Sequence, residues 1–519
     1  MEIKSETKFK KVSSVAELSA ESSVDYTLPD YLGDVRKILY TECEARPSGK
    51  FTDEGKVEFS GIAVYNVVYL DSENKPTGVS FTSDYDATVK CSAEELAGVY
   101  AEPAVTSYNI RLTGPRRFSA KAVIGASAAV VTEDLIAASG SAFDGDGVPE
   151  TLTRVLNMRA TDVSERVERE YADVIERLDG AIADEVQVVY TGSDVVLEGA
   201  SAGEESATVK GALNLYAVVS VPDAPLYFVE KRIPIEETVP FVGVMPEMAL
   251  IPEGRVVSLV SNVNADETGS EIVISAVVEY AVRGEYNEGV RTVADAFMKT
   301  NPTENTYRDY RYTELTECVR VVESMSCEIE RSSLPCESLC QVVYLTATPK
   351  VEKVSGDGNV LKLEGEMRFS GIASEVCEDG GVAYTGLKFT SPFEKGIKCV
   401  GAVPEDVKFE LSFTPTVATA IIDAESIEIN YTISGNLTLS EPKCASVLTS
   451  CDVIGEEKYE SSPGRITVYY PESGETLFEI ARKFHRSQDS VARDNNIAAT
   501  TAADGGSVSL AEYKRIYIF

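Results

Sequence analysis

The stretch "LKLEGEMRFSGIA", residues 361–373, alternates apolar and polar side chains over most of its length. Leu361, Leu363, Met367 and Phe369 are separated by even numbers of residues, and polar residues or glycine fill the positions between them. Successive side chains of a β-strand point to opposite faces, so this pattern predicts a strand with one buried face.

The same strand pattern occurs three times in the chain. "EGKVEFSGIA" (54–63) matches "EGEMRFSGIA" (364–373), and "KGALNLYAVV" (210–219) keeps the glycine and the alternation. The anchoring glycines are 156 and 154 residues apart: Gly55, Gly211 and Gly365. A repeat of this length has the size of an ordinary domain, so we expect three superposable domains with strands at 54–63, 208–219 and 361–373.

A second block follows the first in each copy. "GVSFTSDYDATVKC" (78–91) matches "GLKFTSPFEKGIKC" (386–399), and "IEETVPF" (235–241) is the middle copy. The alignment places three residues at one position: Cys91, Phe241 and Cys399. Free cysteine behaves as a small hydrophobe, so we expect this to be a core position where the cysteines are buried and unpaired.

A third apolar block lies near the end of each copy, at 118–124, 272–278 and 427–433. Short strands separated by turn residues are typical of packed antiparallel sheets. The sequence therefore predicts a mainly β protein with three β-sandwich-type repeats. The predicted boundaries are 1–145, 181–300 and 301–455 for the repeats, 146–180 for a helix or linker, 300–315 for a polar loop, and 463–519 for a separate tail module.

The chain is strongly acidic, with 84 acidic and 48 basic residues and a formal net charge of −36. From residue 465 to 519 seven basic residues balance seven acidic ones, so the charge lies in the repeats. Nucleic acids and anionic membranes attract positively charged proteins. We therefore expect the repeats to bind neither nucleic acid nor a membrane surface.

The first residues, "MEIKSETKFKKV", contain no apolar segment of signal-peptide length, and no stretch has the length of a transmembrane helix. We expect a cytoplasmic protein that does not insert into a membrane. The ten cysteines show no organised spacing that would indicate a disulfide framework.

The tail module contains "SGETLFEIARKF" (473–484), which predicts a short helix rather than a strand. Its apolar residues share one helical face: Leu477, Ile480, Ala481 and Phe484. Thr476 and Glu479 have the spacing of a capping box, in which each side chain accepts a hydrogen bond from a backbone N–H of the first turn.

A second helix can begin at Ser487, a favourable N-cap residue, and end near Asn495. Apolar segments at 466–470 and 515–519 flank the two helices and predict strands. The expected order in the tail is therefore strand, helix, helix, strand, a small α/β module.

The tail stretch "YYPESGETLFEIARKFHRSQDSVARDNNI" resembles a LysM domain, and the resemblance covers 463–519. It implies a groove that binds peptidoglycan or another glycan containing N-acetylglucosamine. Carried over position by position, the groove residues are Gly474, Glu475, Thr476 and Leu477 on one side and Asn496 and Ile497 on the other. Where the family has a short turn before the last strand, this chain has the longer "AATTAADGGSVSLAEYK" (498–514).

Strand blocks of the "FSGIA" type before a C-terminal LysM-like module resemble the SPOCS-domain proteins of spore-forming clostridia. The resemblance spans most of 20–450. It implies a non-enzymatic morphogenetic scaffold of the spore coat, in the mother-cell cytoplasm at the forespore surface. Its LysM-like module would dock onto the basement-layer ATPase of the coat or another coat protein, with Arg482 and Arg486 as further partner contacts. The alternative is a peptidoglycan-binding cell-wall protein that accompanies a hydrolase.

Residues with catalytic potential are few. The only histidine, His485, has no neighbouring nucleophile motif, and we interpret it as part of a solvated basic helix end. Cys327, Cys336 and Cys340 lack the paired spacing of zinc ligands, so we expect no metal and no cofactor.

Acidic residues recur at one position of the second block: Asp86, Glu236 and Glu394. Two carboxyl groups at a defined separation can cleave glycosidic bonds. Copies of one domain favour multivalent binding over a single catalytic cleft, and we interpret these residues as a solvated strand face. The sequence thus predicts a protein that is not an enzyme.

Overall fold

The computed structural model describes residues 6–53, 56–90, 96–137, 149–179, 185–222, 224–265, 269–334, 339–376, 381–455, 458–459, 466–497 and 506–519. Within these residues the fold is mainly β, with antiparallel strand pairs throughout and two short helices in the tail.

Domain 1 contains six strands in two sheets. The first sheet has the order β2-β3-β4 and the second has the order β1-β6-β5. The strands are β1 (Glu6–Thr27), β2 (Val35–Asp53), β3 (Lys56–Asp71), β4 (Pro76–Lys90), β5 (Leu96–Gly114) and β6 (Arg117–Ala137). Buried side chains from β3 and β6, such as Tyr65 and Phe118, belong to one core between the two sheets.

Domain 2 repeats this plan. Its first sheet has β10 between β9 and β11, and its second sheet is built on β13, which pairs with β12 along one edge and with β7 and β8 along the other. The strands are β7 (Glu150–Val163), β8 (Val167–Asp179), β9 (Gln187–Ala202), β10 (Ser206–Ser220), β11 (Tyr227–Pro240), β12 (Ala249–Ala265) and β13 (Gly269–Phe297).

Domain 3 has the same two sheets. In its first sheet β16 lies between β15 and β17, with the short β19 on the outer edge of β15, and in its second sheet β21 pairs with β14, β18 and β20. The strands are β14 (Thr303–Glu330), β15 (Leu339–Asp357), β16 (Val360–Val376), β17 (Val382–Lys398), β18 (Lys408–Thr414), β19 (Thr416–Val417), β20 (Thr419–Ile422) and β21 (Ser426–Val453).

The repeated blocks occupy equivalent positions in the three domains. The first block forms β3, β10 and β16, each the middle strand of a first sheet, and the third block lies in β6, β13 and β21, each paired on both edges. The prediction of equivalent strands is confirmed for the described residues, which exclude Gly55. A middle strand of an antiparallel sheet packs one face on the core and leaves the other more exposed, and this gives its sequence the clear alternation.

The core position predicted from the second block is also confirmed. Phe241 and Cys399 are buried, and the backbone N–H of each donates to the carbonyl just before the middle strand, that of Glu205 and that of Asn359. Cys399 is a free cysteine. Cys91 lies outside the described residues.

Two segments are strands where we predicted helix, linker or loop. Residues 150–163 and 167–179, within the predicted helix or linker 146–180, are β7 and β8, and β14 begins at Thr303 within the predicted loop 300–315. Each is the counterpart of β1, the first strand of domain 1. These strands are buried only in part, so their sequences are polar and lack a clear alternation.

The three domains meet at a tyrosine cluster, which we define as Tyr40, Tyr190 and Tyr344. They come from equivalent strands, β2, β9 and β15, and all three are buried. The ring centroids are 5.3, 5.4 and 5.1 Å apart for the three pairs. One residue from each domain therefore contacts both others, an approximate three-fold arrangement.

Contacts around the tyrosine cluster run cyclically from each domain to the next. A Cβ added to Gly78 of domain 1 would lie 1.7 Å from the carbonyl oxygen of Val189, and one added to Gly386 of domain 3 would lie 2.1 Å from that of Leu39. Between domains 2 and 3, the ring of Phe228 stacks 5.7 Å from that of Tyr344. The domains thus form a closed ring, and the glycines permit the close approach.

A buried ion network adds to the contact between domains 2 and 3. Arg159 of β7 donates to Glu285 of β13 at 2.8 Å and to Glu410 of β18 at 2.7 Å. Burial alone raises a carboxyl pKa, but the bonds from Arg159 outweigh it and hold the pKa of Glu410 below its usual value. Strand β7, which the sequence analysis predicted as helix or linker, therefore joins domains 2 and 3.

Two carboxyl groups lie beside the tyrosine cluster. Glu42 accepts hydrogen bonds from the Tyr190 hydroxyl at 2.6 Å and from Asn66 at 3.1 Å. Burial, with the nearby charge of Glu44, raises the pKa of Glu42 to about 7. Burial likewise raises the pKa of Asp194 to about 7.

We expect Tyr344→Ala to destabilise the ring, because deletion of a buried aromatic side chain costs about 3–5 kcal/mol and leaves a cavity. Urea unfolding of the full chain should move to a clearly lower midpoint. The control is Tyr31→Ala, which removes an exposed ring and should leave the midpoint unchanged. Equal midpoints for the two variants would contradict the central role of the tyrosine cluster.

We also expect a pH dependence from Glu42 and Asp194. Their pKa values are higher in the folded than in the unfolded chain, so the folded state binds more protons and stability falls as pH rises between about 4 and 7. Each unit of raised pKa corresponds to about 1.4 kcal/mol. Glu42→Gln should therefore be more stable than the wild type at about pH 8 and lose this advantage near pH 5, as measured by thermal melting.

Candidate functional site

The tail module, which we call the head, consists of β22 (Thr467–Tyr469), α1 (Leu477–Lys483), α2 (Gln488–Asp494) and β23 (Ile516–Ile518). β22 and β23 form an antiparallel pair, so the predicted order of strand, helix, helix, strand is confirmed. The core of the head contains the apolar residues expected from the helical pattern: Leu477, Ile480 and Ala481, with Phe484 partly buried.

Helix α1 begins with the predicted capping box. Thr476 Oγ1 accepts from the backbone N–H of Glu479 at 3.4 Å, and the Glu479 carboxylate accepts from the backbone N–H of Thr476 at 2.8 Å. The reciprocal bonds satisfy two backbone donors at the helix start. Thr476, a predicted groove residue, is therefore part of the helix cap.

Helix α1 is terminated by His485, which lies two residues beyond its last residue Lys483 and has a left-handed backbone with φ of +52°. Arg486 N donates to Ala481 O at 2.9 Å and His485 N to Arg482 O at 3.2 Å, the two bonds of a Schellman cap. The imidazole stacks on the Tyr459 ring at 3.4 Å, and burial lowers the pKa of His485. Our interpretation of this helix end as solvated and basic therefore holds for Arg482 and Lys483, which are exposed, but not for the imidazole of His485, which is partly buried against an aromatic ring.

The second side of the predicted groove is the end of α2. Asn496 has φ of +55°, and Ile497 N donates to Ala492 O at 2.9 Å, again in a Schellman arrangement. Asparagine tolerates this left-handed conformation better than most residues. Asn496 is exposed, whereas Ile497 is buried in the same core as Leu477.

The first side of the predicted groove is the turn before α1. Gly474 has φ of +94°, a conformation that favours glycine. The Glu475 carboxylate accepts from Glu472 N at 2.7 Å and from the Tyr469 hydroxyl at 2.8 Å. These bonds, with the charge of Lys483 nearby, lower the pKa of Glu475. Glu475 is therefore held in place by the head itself.

Residues 507–510 lie along this turn. Leu477 N donates to Val508 O at 2.9 Å, Leu510 N donates to Glu475 O at 3.0 Å, and Phe478 N donates to Ser507 Oγ at 2.8 Å. These residues belong to the long segment that distinguishes this chain from the LysM pattern. The backbone N–H of Leu477 and the carbonyl of Glu475 are thus used within the head.

The head is docked onto domain 2 through its two helices. The Phe478 ring packs against Phe297 at 5.2 Å, and Arg482 forms an ion pair with Asp295 at 2.7 Å. Gln488 Nε2 donates to Thr151 O at 3.2 Å. Arg482, predicted to contact a partner, thus contacts domain 2 of the same chain, and Arg486 is partly buried. No local pattern in the sequence marks Phe297 or Asp295 for this role. We call the three domains together the body.

The other candidate residues are dispersed. Asp86, Glu236 and Glu394 are exposed on β4, β11 and β17, one in each domain, as the interpretation of a solvated strand face expects. Cys327 is partly buried, Cys340 is exposed and Cys336 lies outside the described residues. Among the described residues, no three His, Cys, Asp or Glu side chains are placed to hold a metal ion.

Comparison with protein-family models finds no match for this chain. Neither the curated proteins nor the solved structures provide a match. Among the described residues, neither helix has the length and apolar character needed to cross a membrane.

We expect Phe297→Ala to loosen the head from domain 2, because it removes the aromatic partner of Phe478. Truncation of a buried phenylalanine costs about 3–5 kcal/mol. Amide hydrogen exchange in α1 should become faster. Phe519→Ala, which removes an exposed ring, is the control. Unchanged exchange in α1 of the Phe297 variant would show that this contact does not hold the head.

Proposed function

We propose that this chain is a non-enzymatic assembly scaffold of the spore coat or envelope, and that its head is a LysM-like module that docks onto a coat morphogenetic protein. The resemblance of the repeats to SPOCS domains and of the tail to LysM supplies the cellular setting, the mother-cell cytoplasm at the forespore surface. The partner expected from it is the basement-layer ATPase of the coat or another coat protein.

The observation that carries the proposal is the closed ring of three similar domains with the head docked on one of them. Tyr40, Tyr190 and Tyr344 join the domains at one point, and Phe297 holds the head through Phe478. Such contacts give the chain fixed relative positions for its binding surfaces. Fixed positions of several surfaces are what a scaffold needs to bring partners together.

A protein ligand is favoured over a glycan by the hydrogen bonding at the predicted groove. On the side of Glu475 and Leu477, the backbone carbonyl and N–H are bonded to Leu510 and Val508. A sugar recognised by these backbone groups would have to displace those bonds. Exposed rim side chains such as Asn496 remain accessible to a protein surface.

The alternative function is a peptidoglycan-binding cell-wall protein that accompanies a hydrolase. The observation that favours it is the order of the head elements, strand, helix, helix, strand, which is the order that the LysM resemblance implies. In this case the groove residues Gly474–Leu477 and Asn496–Ile497 bind N-acetylglucosamine units.

The two functions are distinguished with the full-length chain, because Phe478 would be uncovered in an isolated head. We expect the purified coat ATPase to bind the wild type and to bind Asn496→Gly and Arg486→Ala at least tenfold more weakly, about 1.4 kcal/mol each. Glycine keeps the left-handed backbone that Asn496 adopts, so the thermal melt of that variant should not change. Glu512→Gln, a change at an exposed residue that is not one of the predicted groove residues, is the control.

The glycan arm uses calorimetric titration of the same proteins with muropeptides and chito-oligosaccharides. Saturable glycan binding that is lost in Asn496→Gly, together with no binding of coat proteins, would support the wall-binding alternative and overturn the scaffold proposal.

A further inference from the structure

The head has an exposed apolar face on the side of its sheet away from its helices. β22 and β23 pair Val468 with Tyr517, and the buried residues Ile516 and Ile518 occupy the alternate positions. We define the outer face as the other set of alternating positions: Ile466, Val468, Tyr470, Arg515, Tyr517 and Phe519. Ile466 is 58% exposed and Tyr470 is 68% exposed, although the head is docked to the body.

The charged side chain of the outer face is basic. Arg515 is the only residue of the face with a charged side chain, and its guanidinium lies 5.3 Å from the Tyr517 ring centroid. The neighbouring Lys514 is also exposed. Asn495 bonds both backbone groups of Tyr517, so the edge of β23 is occupied there and docking has to use the side chains of the face. An apolar surface with basic residues fits a partner that is apolar and acidic.

The body of the chain presents two surfaces of that kind. The loop after β11 reads "VGVMPE" (242–247) and the loop after β17 reads "VGAVPE" (400–405), and we call them the valine loops. They follow the equivalent core residues Phe241 and Cys399. Val242 is 76% exposed and Val400 is 94% exposed, the second and the first most exposed among the valines whose side chains the structure describes.

Acidic residues accompany each valine loop. Glu247 and Glu405 are exposed at the matching position, and Asp406 follows the second loop. The Glu317 carboxylate accepts from Val400 N at 3.0 Å and adds a charge beside the tip. Two domains thus expose a valine next to carboxylates at equivalent places. The valine complements the apolar residues of the outer face, and the carboxylates complement its basic side chain.

We propose that the outer face of the head binds a valine loop of a second copy of this chain. Within one copy both surfaces are exposed, so they do not cover each other. The contact joins two different surfaces, and a pair of chains held by one contact still has one outer face and three valine loops free, so further copies can add to it. This self-association goes beyond the proposed docking of the head groove, because it uses different residues.

The first test is sedimentation velocity of the full-length wild type up to about 100 μM, a concentration tenfold above a Kd of about 10 μM. We expect the average mass to rise steadily with concentration. Val468→Asp and Tyr470→Ser should each keep the chain monomeric, and so should Val242→Asp combined with Val400→Asp. Val260→Asp, at another exposed valine, is the control and should associate as the wild type does.

The decisive test mixes the two classes of variant in equal amounts. The face variant Tyr470→Ser retains both valine loops, and the loop variant retains its outer face, so the mixture should form complexes of two or three chains, with one face variant in each, and nothing larger. Arg515→Glu, which leaves the apolar residues in place, should weaken association of an otherwise native chain at least tenfold.

Three results would overturn the proposal. They are a wild type that stays monomeric throughout, a loop variant that associates as strongly as the wild type, and a mixture that contains only monomers. The groove variant Asn496→Gly should associate normally, so failure of this proposal and failure of the proposed partner docking can be told apart.

Discussion

The packing of three tyrosine rings at one point is the contact on which the arrangement of the body depends. Tyr40, Tyr190 and Tyr344 are each the counterpart of the others, and each ring lies against both of its neighbours. Offset and edge-to-face aromatic pairs add to the free energy gained by burial. Three domains that could each bury their own core are thereby joined into one ring, and the loops and head surfaces take their positions from it.

The same region shows how polar groups are accommodated at a contact between domains. Glu42 lies beside the rings, where the Tyr190 hydroxyl and Asn66 satisfy its oxygens. Arg159 does the same for Glu285 and Glu410 at a second contact, between domains 2 and 3. A buried charge without partners is strongly unfavourable, so an arrangement of the domains that separated these groups from their partners would be destabilised.

The sequence predicts those parts of the fold that depend on local pattern. Phe369 and its neighbours alternate because a middle strand has one fully buried face, and Thr476 and Glu479 are spaced as a capping box requires. It does not predict β7 and β8, whose half-buried faces leave a polar sequence, or the contact of Arg482 with Asp295, which depends on the packing of distant elements. In the tyrosine cluster each tyrosine follows two apolar residues, in "ILY", "VVY" and "VVY", but Tyr69 of β3 also follows two valines, so this pattern alone does not identify the cluster.

The head is attached to the body in two ways, and this has a mechanical consequence. The chain enters the head from β21 of domain 3, while Phe297 and Asp295 at the end of β13 hold it to domain 2. A force applied to the head is therefore divided between two domains that already share a contact. If the head were attached to one domain only, such a force could separate a single strand from its sheet. Here the force acts on domains 2 and 3 together, and both of these domains contribute a ring to the tyrosine cluster.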